Sequence, residues 1–323
     1  MVDYKVKWIH NGKAEYITKK VGTLTWRDSL DSLGMELSFS MPFSRFDDQF
    51  EQRIKNGDVI VVYRKNRELL RCVITGVPIN GDEYSGYDFA WYLNKSETVY
   101  QAKKVSAEKA IRQLCKRFDV PIGELPNMPT TISKLYKDMV VSDILKDILK
   151  KVKNETGQGY RMEMRKGKLN FVKSGYIKVK PVYTDRSGKK ISCTKAASIS
   201  GDRSIEELRN QVIVAGTDEK KAQVKATAKS SASIKKYGLL QAVETKDKLS
   251  AAKARNVAKN KLKELNKEAV TFTAEMPGNN EVRAGRKLYF IFPEIGIKGW
   301  YKVKSCTHTV NNDLHWMSCE MEV

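Results

Sequence analysis

Near the end of the sequence, Cys306-x-His308 and His315-x3-Cys319 combine residue types that could bind a metal or exchange protons. Thiolate and imidazole are the ligands of tetrahedral zinc, and imidazole is the usual general base near neutral pH. Their use depends on the elements that hold them. Trp300–Val310 and Leu314–Met321 alternate apolar and polar side chains, which reads as two strands of a hairpin turning at Asn311-Asn312. In that register His308 faces His315 and all four side chains share one sheet face. His315 and Cys319 are then four residues apart, ~13 Å at the usual strand rise, too far for one shell with bonds of ~2.0–2.3 Å. Packing is therefore the expectation for this group. The one other histidine is His10, and the sequence has no H-E-x-x-H, G-x-S-x-G or G-x-x-x-x-G-K pattern. We assign no catalytic, cofactor-binding or metal-binding residue, and expect no cofactor and no enzymatic activity.

The elements around this hairpin read as mainly β with α+β insertions. Tyr4, Val6 and Trp8 alternate with polar neighbours, as do Met35, Leu37, Phe39 and Met41. Asp58–Tyr63 and Leu69–Val77 are β-rich runs joined across Lys65-Asn66, and Tyr84–Leu93 reads as a further aromatic strand. These short strands predict a first antiparallel β-barrel module over residues 1–102. The period then changes. Ser106 caps a helix whose stripe is Ala107, Ala110, Ile111, Leu114 and Phe118, and a second helix begins at Ser142 and ends at Gly157. With a hairpin about Arg165–Lys168 and a strand-rich connector broken by turns such as Asp185–Gly188, they form a middle domain, 103–205. Residues 206–216 and 269–323 are assigned to a second β-barrel module, interrupted at 217–268 by a basic helical insertion. Its start, 217–237, is rich in Lys, Ala and Ser and is expected to be weakly ordered, whereas Ser250–Leu265 is a helix. Trp8, Trp26, Trp91, Trp300 and Trp316 lie in or beside strand patterns and are expected in core or subunit interfaces.

The 323 residues carry 59 basic and 38 acidic side chains, a net charge of +21, distributed unevenly. Residues 1–100 hold 14 basic and 14 acidic groups and 269–323 hold 6 and 6, against 25 and 13 over 101–218 and 14 and 5 over 219–268. Neutral ends flank a basic interior. Lysine dispersed in this way, without interleaved aromatics, reads as a solvated surface in preference to a nucleic-acid site. No apolar run approaches a membrane span or a signal peptide, so a soluble chain made in a cytoplasm is expected. The five cysteines contain no C-x-x-C pair and are expected reduced and buried.

The segments LTWRDSLDSLGMELSFSMPF, NGDVIVVYRKNRELLRCVITGV, YDFAWYLNKSETVY, NQVIVAG, VTFTAEMPGNNEVRAGRKLYF and GWYKVKSCTHTV, in this order, resemble the baseplate hub proteins of contractile phage tails. The likeness is to the XkdQ/YqbQ type of Bacillus prophage tails and, by extension, to late-control D and myovirus hubs. It implies two similar barrels per chain and a homotrimer whose six barrels approximate a six-fold ring. It also implies partners: tail tube or tube-initiator proteins, a central spike and baseplate wedge proteins, with DNA passage through the ring but no specific DNA binding. The place of action is the baseplate of a virion or a DNA-free tail particle (tailocin), assembled in the bacterial cytoplasm. Some hubs resemble fusions to a lysozyme-like domain, and no segment here corresponds to one. The alternative is a cell-wall hydrolase or peptidoglycan-binding module, since residues 106–118 with Val120–Leu125 resemble a LysM unit. A nucleic-acid-binding protein is a third reading, permitted by the basic interior.

Overall fold

The computed structural model describes residues 4–42, 54–79, 82–175, 177–185, 187–218, 221–245 and 250–322. Phe43 of the first motif, Arg186 of the 185–188 turn, and Glu219 and Lys220 of the basic stretch lie outside the described residues. The chain is mainly β and divides into two units, residues 1–199 with 273–321, and 200–272 with 322–323.

In the larger unit one sheet runs through Lys13–Tyr16, Tyr4–His10, Val59–Arg64, Arg67–Gly76, Glu83–Asp88, Glu36–Ser40, Leu24–Ser29, Ile297–Asn311 and Leu314–Glu322, in that spatial order. The alternation in the sequence sets one face inward. Tyr4, Val6, Leu24, Trp26, Leu37, Phe39, Ile60, Val62 and Tyr84 are all buried and share one core. Lys65 and Asn66 both take positive φ (46° and 65°), the left-handed pair that matches a two-residue hairpin to the twist of its strands. The strand order is an open path. Leu24–Ser29 takes Glu36–Ser40 on one side and, on the other, residues from the far end of the chain, with Trp26 opposite His308 and Ser29 opposite Ser305. The first module and the terminal hairpin thus belong to one continuous sheet.

The aromatic run expected as a strand over 84–93 ends early: Glu83–Asp88 is strand and Ala90–Lys95 is helix. Asp88 accepts the Ala90 amide through Oδ1, and Ala90 and Leu93, three apart, are both buried in the neighbouring core. Local burial at helical spacing overrides the β preference of Trp and Tyr. The two expected helices form as Ala107–Arg117, where Ser106 Oγ accepts the Lys109 amide, and Val141–Thr156, closed by Gly157 at φ 74°. They pack beside the pair Glu97–Ser106 and Thr131–Val140, with Ile111, Leu114, Ile144, Leu145 and Ile148 fully buried. The hairpin Tyr160–Arg165 and Lys168–Lys173 adds Leu169 and Phe171 to that core.

In the smaller unit Gln211–Asp218 is central. It pairs antiparallel with Lys221–Lys229 and parallel with Gln241–Thr245. Helix Ala251–Leu265 sets Ala254 and Ala258 against Val214 and Ala226. The basic stretch expected to be weakly ordered therefore contains a paired strand and a helix, Ser231–Tyr237, whose Ser230 Oγ accepts the Ser233 amide. Small alanines, which supply little apolar area, let helix and sheet approach closely and so make a core of low volume. No helix among the described residues is long and apolar enough to cross a membrane.

Candidate functional site

The terminal hairpin turns one residue later than expected. Asn312 and Asp313, not Asn311-Asn312, take the two positive φ values, 47° and 66°. Asn and Asp tolerate this conformation equally, so the triplet Asn-Asn-Asp leaves the register to packing. Cys306, His308, Val310, Met317, Cys319 and Met321 are buried on one face, while Leu314 and Trp316 are exposed, Trp316 by 52%. Of the five tryptophans only Trp26 is fully in the core. It stacks on the His308 ring at 4.9 Å and 9°.

The four candidate residues do come together, as a string and not around a point. Cys319 Sγ lies 3.1 Å from Cys306 Sγ, which lies 3.2 Å from His308 Nε2. His308 Nε2 is also 3.0 Å from the Val282 carbonyl, His308 Nδ1 is 3.0 Å from His315 Nε2, and His315 Nδ1 is 3.0 Å from the Tyr4 hydroxyl. These contacts fix the tautomers. A carbonyl only accepts, so His308 carries its proton on Nε2 and its Nδ1 accepts from His315 Nε2–H. His315 Nδ1 is left to accept from Tyr4. Burial pushes His308 down to about 4. Burial, with the nearby His308 and Arg64 charges, pushes His315 down to about 3. Both rings are neutral at pH 7 and neither has a free nitrogen, so a proton-abstracting role has no lone pair to use. The thiols are equally quiet. Burial raises Cys306 and Cys72 far above the usual range, Cys115 to about 12 and Cys193 to about 11, against the thiolate that nucleophilic or metal chemistry needs. All five cysteines are unpaired and buried.

A second polar group lies in the same unit. Glu163, 3% exposed, accepts both terminal nitrogens of Arg286, at 2.8 and 3.0 Å. Its carboxylate also meets Arg283 at 3.0 Å, Arg165 Nε at 2.9 Å, and Arg161. Arg283 Nε donates in turn to Asp28 at 2.9 Å, and Arg161 donates to the Ala284 carbonyl. Burial alone would raise the Glu163 carboxyl, yet the Arg283 charge and the bonds from its other arginines hold it well below the carboxylate range. Asp88 also lines this region, accepts the Met35 and Ala90 amides and feels the Arg283 charge. Burial raises it to about 7 against the amides of Met35 and Ala90.

Two cavities meet at this cluster. One, of about 360 Å³, and another, of about 550 Å³, both have Asp28, Glu163 and Arg283 in their walls, and the larger also touches Trp26 and His308. Sequence reasoning found the hairpin residues through their types but missed this cluster. The alternation Tyr160-Arg161-Met162-Glu163-Met164-Arg165 puts the charges on what reads as a solvated strand face. Their partners Arg283 and Arg286 stand some 120 positions away, joined by no local pattern. The signal available was Arg-Glu-Arg at period two, an unusual self-paired row.

The family model described as YQBQ-like matches residues 24–322. Among relatives, the protein XkdQ of the phage-like element PBSX of Bacillus subtilis strain 168 is 28% identical over 284 residues, 85% of this chain and 84% of the relative. The YqbQ protein of the same strain is 28% identical over 279 residues, 83% and 82% of the two chains. The 43 kDa tail protein of prophage MuSo2 from Shewanella oneidensis shares the fold, with a TM-score of 0.69, 13% identity and 98% coverage of both chains. With a match spanning nearly every strand of the central sheet, the chain belongs to the YQBQ-like family.

Proposed function

We propose that the chain is the structural baseplate hub of a contractile tail, non-enzymatic, forming a trimeric ring that joins the tail tube to the central spike and adapts three-fold to six-fold symmetry. The observation that carries the reading is the pairing of Leu24–Ser29 with the terminal strand. It fuses the N-terminal module and the C-terminal hairpin into one sheet, which suits a part that transmits load between a spike and a tube. Family membership and the tail-protein fold support a tail structural role. In this reading the N-terminal module, residues 1–102, and the terminal residues 269–323 build the ring, and their lack of net charge avoids repulsion between copies. The basic stretches 103–205 and 217–268 meet other baseplate proteins. Neutral, fully engaged imidazoles and protonated thiols support the absence of catalysis.

Mass measurement by light scattering, on the purified chain alone and with tube and spike proteins, tests the proposal. Three copies per particle are expected. A monomer or an even-numbered assembly under both conditions refutes it, and cell-wall degradation by the purified chain would favour the hydrolase reading.

A further inference from the structure

The one-residue shift of the terminal turn sets two thiols opposite each other. Asn312 and Asp313 form the turn, so Asn311 faces Leu314, and counting back along strands Ile297–Asn311 and Leu314–Glu322 places Cys306 opposite Cys319. A turn one position earlier would have placed Met317 there instead. Ser305 Oγ donates to Glu320 at 3.2 Å, in agreement with this register. A two-residue turn is closed by a hydrogen-bonded pair and the pairs alternate from it, so Cys306 and Cys319, five steps on, are a non-hydrogen-bonded pair. Cα atoms of such a pair stand ~4.5 Å apart, inside the ~4.4–6.8 Å span of disulfides. The side chains agree, with the two Sγ atoms 3.1 Å apart. Loss of both S–H protons leaves no donor stranded, because His308 Nε2–H, 3.2 Å from Cys306 Sγ, also has the Val282 carbonyl at 3.0 Å. Both cysteines are fully buried. Cys115 and Cys72 belong to two different hydrophobic clusters, neither of which includes this pair.

We propose that Cys306 and Cys319 are a disulfide-forming site: the terminal hairpin has a reduced form and a covalently closed form, the second made by exchange with a small-molecule disulfide such as oxidised glutathione. The Cys306 thiol gives up its proton and the thiolate attacks one sulfur of the small disulfide. This forms a mixed disulfide and releases one small thiolate, which takes up that proton. Cys319 then loses its proton and attacks Cys306 Sγ, forming the Cys306–Cys319 bond and releasing the second small thiol. Two protein thiols are oxidised and one small disulfide is reduced to two thiols. Burial sets when this happens. Exchange requires a thiolate and a path to solvent, and the closed sheet denies both, so the bond forms while the hairpin is open and is sealed against reductants afterwards. The form a chain adopts thus records the redox conditions under which it folded. The inference does not depend on the hub reading, since it concerns the isolated chain.

In the test, the full-length protein is unfolded in guanidinium, freed of reductant and refolded in a slightly alkaline buffer with equimolar reduced and oxidised glutathione, then alkylated and digested with trypsin. No Lys or Arg follows Lys304, so residues 305–323 stay in one peptide that holds this pair and no other cysteine. That peptide is expected without alkyl groups and lighter by two hydrogens, with Cys72, Cys115 and Cys193 alkylated. The oxidised form is expected to melt ~5 °C or more above the reduced one, because the closed loop 306–319 restricts the unfolded chain. Protein folded first under reductant and then given the same mixture is expected to acquire the bond about tenfold more slowly or less, since the thiolate is denied to it. A peptide carrying two alkyl groups, a glutathione adduct that does not close, or a bond from Cys193 to either residue overturns the proposal. Equal melting temperatures overturn the stabilising role of the bond, and equal rates from folded and unfolded protein overturn its sealing by burial.

Discussion

The terminal hairpin and the arginine cluster solve the same problem, burying polar groups, in opposite ways. The hairpin string is neutral. Each of the two rings donates through Nε2 and accepts through Nδ1, and these tautomers follow from a single carbonyl. The arginine cluster is ionic, held by one carboxylate that serves four guanidiniums. A neutral string costs little to desolvate and loses about one hydrogen bond when cut. An ionic cluster costs much to desolvate and collapses when its shared counter-charge is removed.

The largest effect therefore belongs to Glu163. Glu163→Gln leaves three or more buried cations without their common partner and is expected to cost ~3–5 kcal/mol, read by urea denaturation at pH 7. A cost below that of cutting the hairpin string would reverse the contrast. Next comes the pH response, in which the two regions occupy different windows. His308 titrates at about 4 when folded and near 6.5 when unfolded, so the unfolded chain binds more protons between these values. Stability is fully present above pH 6.5 and falls as pH drops toward 4, by about 3 kcal/mol for this residue. Glu163, depressed below its ordinary 4.5, loses its contribution only below that pH. Asp88, raised to about 7, acts in the opposite sense: its folded form binds the extra proton, so stability falls as pH rises from about 4 to 7. Denaturation curves from pH 4 to 8 for the wild type and His308→Asn separate these terms, since the variant is expected to lose the His308 share of the slope between 6.5 and 4 and to keep the share of His315, which is pushed down to about 3. At neutral pH, His308→Ala is expected to cost ~1–3 kcal/mol, as a buried carbonyl and ring lose their partners. The smallest effect is at Trp316. Its exposure limits Trp316→Ala to ~0.5 kcal/mol in the isolated chain, well below a cavity-forming change, and a larger loss would place that side chain in a contact between copies.

Most of the fold was legible. Period-two alternation locates the strands around Tyr4, Leu37 and Trp300, and capping signals at Ser106 and Gly157 bound two helices, because in each case the local pattern and the tertiary burial agree. The end of the run Tyr84–Leu93 reads as strand because Trp91 and Tyr92 carry a β preference, which the burial of Ala90 and Leu93 at helical spacing outvotes. The basic stretch after Thr217 was read as weakly ordered because alanine-on-alanine packing leaves no large apolar stripe to see. The hairpin site was legible from residue types, with a one-residue error in its turn. The arginine cluster was not, since its ion pairs join positions remote in sequence and its strand face mimics a solvated one.

The pairing of Leu24–Ser29 with residues 305–310 also governs when the fold can finish. During synthesis the N-terminal strands emerge first, and one flank of Leu24–Ser29 has no partner until nearly the whole chain has been made. Contacts of such sequence separation close slowly, because loop entropy is lost before any pairing compensates it. Until then the strand presents a bare row of amides and carbonyls with Trp26 beside it, a template for another nascent chain. The finished sheet hides this edge in its middle. Slow completion, followed by permanent concealment, makes the joint a point of vulnerability to aggregation before folding and of mechanical continuity after it.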